Sequence, residues 1–194
     1  MAIRIKKFQT RMLRPYMRKI IVIGTLHGGL TPKEELLEIL NKINPNKLLL
    51  EISKEDLKKD KLKNYPDEMV NAYMWAKNKG VEVDGFDSSI SITKKKIAKQ
   101  DNQKLIEEIK KLLQVRNFTW KDMNKEENRK IIENSSVSKL IDPNKAKKRE
   151  LEMLENINKK MIRSGIVLIL TGSAHLKFFE EHLKEAIFPL RYGI

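Results

Sequence analysis

The chain has no cysteine among its 194 residues, which excludes disulfides, thiolate metal ligands and cysteine nucleophiles. Nothing in it calls for an oxidising compartment, so a cytoplasmic protein is expected. Long apolar runs are missing as well. None approaches the roughly 20 residues that cross a bilayer, and the N-terminal stretch lacks the apolar centre of a secretory signal, so no membrane insertion is expected. Histidine occurs only three times, which confines any imidazole chemistry to His27, His175 and His182. No GxSxG elbow is present, so Ser53, Ser88 and Ser173 lack the context of an activated serine.

What the chain has in quantity is lysine. The net charge is +14, and only nine of the 40 basic residues are arginine. A basic surface attracts phosphate backbones by counterion release, but arginine is the usual bidentate partner of phosphate and bases. Lysine here is dispersed beside glutamate, as in "KLIEEIKKLL", which is the pattern of a solvated helix surface. A nucleic-acid partner is not expected. The densest basic groups are Lys94, Lys95 and Lys96 and the acid-free stretch from Met1 to Lys33. That stretch runs straight into a strand pattern without serine enrichment, so it reads as part of the fold and not as a transit peptide.

The remainder alternates short apolar runs with helical periodicity, at a length that suits one domain over 1–194. Lys19 to Ile23 reads as a strand buried on both faces. Thr31, Pro32 and Glu34 read as a capping box opening a helix whose apolar face is Leu36, Leu37, Ile39, Leu40 and Ile43, ended by Asn44 and Pro45. A second strand, Leu48 to Ile52, carries Glu51. A helix from Pro66 to Lys79, closed by Gly80, leads to a strand from Val81 to Phe86 with Asp84 in it and Asp87 just beyond. Residues 94–142 read as a helical insertion with a further helix start near Thr119 to Asp122. A long helix from Asn144 to Arg163, a strand from Ile166 to Leu170 and a helix from Leu176 to Ala186 complete the pattern. This is the grammar of an α/β fold, a mainly parallel central sheet flanked by helices.

Two of these strands end alike. "IIVIGTLHGG" and "VLILTGSAHL" each close an apolar run with glycine and place histidine three residues on, at His27 and His175. In open parallel sheets ligands sit at the carboxyl ends of strands, so His27, Glu51, Asp84 or Asp87, and His175 would share one rim. Two imidazoles and a carboxylate suit zinc, or manganese or iron when more oxygen ligands join. Asp84 and Asp87 are candidates to orient an imidazole. His182 has polar neighbours and reads as solvated, and Trp75 and Trp120 read as core.

"GTLHGG", "KLLLEIS" and "TGSAHL" together resemble the TraB and TIKI family, and "RELEMLENI" from Arg149 to Ile157 is similar to the arginine, acid, methionine, asparagine helix of the broader erythromycin esterase and ChaN-like superfamily. The resemblance implies an α/β domain and a metal-dependent, peptidase-like hydrolase in which His27, Glu51 and His175 hold a divalent ion such as manganese, zinc or cobalt and Arg149 assists. The substrate would be a peptide or a small ester or amide, with a homodimer left open. The superfamily also implies an alternative, a metal-free esterase using a histidine base, and a non-catalytic member that keeps the fold to bind a ligand, haem or an acidic partner through its basic surface is the other class left open.

Overall fold

The computed structural model describes residues 17–59, 61–90 and 99–191. Residues 1–16 of the acid-free stretch and the triplet Lys94, Lys95 and Lys96 lie outside the described residues. Among the described residues five strands form one parallel sheet: β1 (Arg18–Thr25), β2 (Lys47–Ser53), β3 (Glu82–Asp87), β4 (Gly165–Gly172) and the two-residue β5 (Ala186–Ile187). Their order is β3-β2-β4-β1-β5, so β4 fills the slot between β1 and β2. Val167, Leu168, Ile169 and Leu170 of β4 are wholly buried, which is why this segment is a continuous apolar run and not an alternating one.

Helices cover both faces. On one lie α1 (Lys33–Ile43), α3 (Asp67–Lys79) and α4 (Lys99–Arg116), which pack Leu36, Leu40, Ala72, Trp75, Ile109 and Leu113 against Ile21, Ile23, Leu48 and Leu50. The other carries α7 (Pro143–Lys159) and α8 (Leu176–His182), with Met153, Ile157, Phe178 and Phe179 against Val22, Leu49 and Ile169. Shorter helices are α2 (Lys54–Lys58), α5 (Glu126–Glu133) and α6 (Ser136–Leu140). Trp75 and Trp120 are buried as expected, and no helix among the described residues is long and apolar enough to cross a membrane.

Several local expectations change. Thr31 is not a helix cap: Pro32 precedes α1 without a side-chain bond, and the Thr31 hydroxyl accepts from Leu26 N–H and donates to Leu26 C=O. It closes the loop that carries His27. The long helix stops at Lys159, and the last one ends at His182 because the chain turns there into β5. Because β5 meets β1 only at Ile20 and Ile21, the buried Asn124 takes over further along: its Oδ1 accepts from Gly24 N–H and its Nδ2 donates to Gly24 C=O, both at 2.9 Å. One side chain thus does the work of a strand residue, leaving neither peptide group orphaned.

The connections set the functional geometry. β1 leads to α1 on one face and its neighbour β4 leads to α8 on the other, so the chains part at their carboxyl ends and leave a crevice between them.

Candidate active site

The two GxxH segments meet across that crevice. Thr25 is paired with Gly172 in the β1–β4 register, and the Thr25 hydroxyl donates to Thr171 C=O at 3.1 Å. The motif glycines matter for space rather than for turning. A Cβ on Gly24 would lie 2.9 Å from Ser173 Cα and 2.6 Å from Leu176 Cδ1, so Gly24 makes room for the segment bearing His175. A Cβ on Gly172 would lie 3.2 Å from His27 Nε2, so Gly172 makes room for the other imidazole. Each glycine serves the opposite histidine. The positive φ values fall instead on Gly28 and Gly29, at 75° and 77°, where the His27 loop turns back.

Glu51, at the end of β2, is the buried centre of the site. Its Oε2 accepts from Thr171 Oγ1 and from Gly172 N–H, both at 2.7 Å, and its Oε1 accepts from Arg149 Nη2 at 3.0 Å. His175 Nε2 stands 3.4 Å from the same Oε1, beyond a well-formed hydrogen bond. Arg149 also grips Asp87 through Nε and Nη2, both at 2.9 Å. Helix α7 repeats this orientation along one side: Glu150 accepts from His175 Nδ1 at 2.9 Å, Met153 is buried, and Asn156 donates to Phe86 C=O at 3.2 Å. The arginine, acid, methionine, asparagine pattern is therefore the face of α7 turned to the sheet.

The imidazoles take their carboxylate partners from helices, not from Asp84 or Asp87. His27 Nδ1 lies 2.5 Å from Glu68 Oε1; the Glu68 side chain is 1% exposed and the His27 side chain 47%. Asp84 is turned away and pairs with Lys160 at 3.1 Å. Asp87 orients Arg149, not an imidazole. Glu68 escaped the sequence reading because an acid in the first turn of a helix is ordinary. The available signal was its phase, since Glu68, Ala72, Trp75 and Ala76 all lie on the buried side of α3. His182 is exposed, stacks on Phe178 and does not line the cavity that holds His27 and His175.

Electrostatics follow from the count of charges. Four carboxylates, Glu51, Glu68, Asp87 and Glu150, are shared between one guanidinium and two imidazoles, so the remaining negative charge favours the protonated form of the imidazoles. Burial works against the charged form of His175, but the Glu51 charge and the Glu150 and Glu51 contacts outweigh it and push its pKa up to about 9. For His27 burial again opposes, and the Glu68 hydrogen bond with the Glu51 charge gives a net rise. Burial would raise the Glu51 pKa, yet the charges of His175, His27 and Arg149 hold it far below the usual carboxylate range.

Five of these residues, His27, Glu51, Asp87, Arg149 and His175, line a cavity of about 480 Å³, with Glu68 and Glu150 behind the two imidazoles. As a metal cradle the set does not fit: both oxygens of Glu51 are held by protein donors, and among the described residues no three His, Cys, Asp or Glu side chains converge closely enough for an ion. Comparison with protein-family models, curated proteins and solved structures finds no match to this chain.

Proposed function

We propose that the protein is a hydrolase of ester or amide bonds in which His27 is the general base and no metal ion is required. The observation that carries this reading is the His27–Glu68 pair, a half-exposed imidazole backed by a buried carboxylate in a cavity whose remaining lining is largely apolar. Glu68 accepts the Nδ1 proton and so fixes the tautomer whose Nε2 lone pair can take a proton from water. As that water oxygen attacks the substrate carbonyl carbon, negative charge develops on the carbonyl oxygen. His175 is suited to meet it: Glu150 holds its Nδ1, while its Nε2–H is only loosely engaged by Glu51 at 3.4 Å. Arg149 and Asp87 hold the Glu51 carboxylate in place, and Glu51 keeps His175 protonated. Collapse of the intermediate breaks the bond to the leaving group, to which His27 returns the proton. The similarity of the Arg149 to Ile157 helix to that of erythromycin esterases supports the esterase side of this reading.

A metal-dependent hydrolase is the second reading, favoured by one observation. Each imidazole has Nδ1 on a carboxylate, the arrangement that orients metal-bound histidines. Manganese, zinc or cobalt would have to recruit Glu51 from its present donors.

The test is hydrolysis of p-nitrophenyl acetate by protein stripped with EDTA, by the same protein with added manganese or zinc, and by His27→Gln and Glu68→Gln variants. Activity should survive chelation and fall at least 100-fold in His27→Gln, in line with general base contributions of about 10²–10⁴. Activity that appears only with metal transfers the assignment to the second reading, and full activity in His27→Gln refutes both.

A further inference from the structure

We propose that the substrate is an ester of an apolar acyl group, with its carbonyl at the His27–His175 end of the cavity and its chain along the wall built by α4. This rests on the hydrolytic reading above and names its substrate class. The evidence is the lining of the cavity. Beside the charged groups and imidazoles it includes Leu26, Leu30, Pro66, Leu105, Ile106 and Ile109.

Helix α4 explains how that wall arises. Leu105, Ile109 and Leu113 are spaced four residues apart and form one apolar stripe. The lower part of the stripe, Ile109 and Leu113, is buried in the core, whereas Leu105 and the adjacent Ile106 are only half-buried and face the cavity. Ile106 also reaches over the His27 loop: a Cβ on Gly28 would lie 2.9 Å from three of its side-chain carbons. The helix thus carries its apolar face past the core and ends it beside the reacting groups.

Such a wall discriminates by chemistry. A sugar or a polar peptide placed there would leave its donors and acceptors without partners, whereas methylenes would remove both their own surface and that of Leu105 and Ile106 from water. The step itself needs nothing beyond water. The water oxygen forms the new bond to the carbonyl carbon, the bond from that carbon to the alcohol oxygen breaks, and the proton held by His27 Nε2 passes to the departing alkoxide. A carboxylic acid and an alcohol result, with no net oxidation or reduction.

The experiment measures kcat/KM for p-nitrophenyl acetate, butanoate and octanoate, together with binding of octanamide and acetamide followed by the His27 ring resonances in proton–carbon NMR spectra. Each buried methylene is worth about fourfold, so octanoate should exceed acetate by at least tenfold and octanamide should bind at least tenfold more tightly than acetamide. Ile106→Asn and Leu105→Asn should each compress both ratios. A flat or falling ester series overturns the acyl preference while leaving hydrolysis standing. Octanamide bound no more tightly than acetamide overturns it whether or not esters are cleaved. Selective octanamide binding without cleavage of any ester overturns the hydrolytic reading and the substrate with it.

Discussion

Raising the pH should destabilise this protein through the imidazoles of His27 and His175, and the share of His175 can be worked out. His175 carries a proton in the folded state up to about pH 9 because Glu51 and Glu150 flank its ring, whereas the unfolded chain releases that proton near 6.5. The sign follows from which state holds more protons. The raised pKa adds stability that is complete below about pH 6.5 and is lost as the pH climbs through about 9. Moving an imidazole from 6.5 to about 9 corresponds to about 3 kcal/mol at about 1.4 kcal/mol per pH unit. The His175 side chain is 9% exposed, so little of this is screened by solvent. His27 shifts in the same direction, so the wild-type curve alone does not isolate His175. The assay is urea denaturation at pH 6.0, 7.5 and 9.5 for the wild type and for His175→Asn, whose amide can still reach Glu150. The stability gap between the two should narrow by about 3 kcal/mol across that range. Parallel curves, or a gap that widens with pH, would show that no proton is held where the geometry puts one.

The same two histidines predict a bell-shaped pH dependence of kcat/KM, with an acidic limb above 6.5, where His27 must lose its proton, and a basic limb near 9, where His175 must keep one; a profile still rising at pH 10 contradicts the role given to His175. Gly172→Ala should lower kcat/KM at least tenfold with near-normal stability, because the added methyl would sit 3.2 Å from His27 Nε2 and displace the ring. Arg149→Met strands Glu51 and Asp87 without their shared cation and should cost about 3–5 kcal/mol in urea denaturation. Asn124→Ala leaves both peptide groups of Gly24 unpaired and should cost about 1–3 kcal/mol, with faster amide exchange at Gly24 as its local signature.

Much of the framework was legible because the strands advertise themselves. Ile20 to Ile23, Leu48 to Leu50 and Val167 to Leu170 are apolar on every residue, which only a strand covered on both faces requires at that length. His27, Glu51 and His175 stood at strand ends, and the structure gathers them with Arg149 around one cavity. Their partners were hidden for a physical reason. Glu68 sits beside Asp67 and Glu150 near Glu152 and Glu155 on charged helices, where one carboxylate carries no signal until its direction is known. Thr31 resembled a cap because its spacing to Glu34 matched one, but the loop claimed its hydroxyl first. Asp84 and Asp87 were separable in principle, since an odd spacing sends strand residues to opposite faces. β5 is too short to leave any periodicity, and the order of the strands is a long-range property that no local pattern encodes.

The late insertion of β4 between β1 and β2 has a consequence for biosynthesis. Until the ribosome has made β4, two greasy strands must wait without the neighbour that will join them. A chain interrupted before that point would possess His27 and the Glu51–Arg149 pair but neither His175 nor the crevice. Assembly of the two-histidine crevice and the closing of the sheet are therefore a single event.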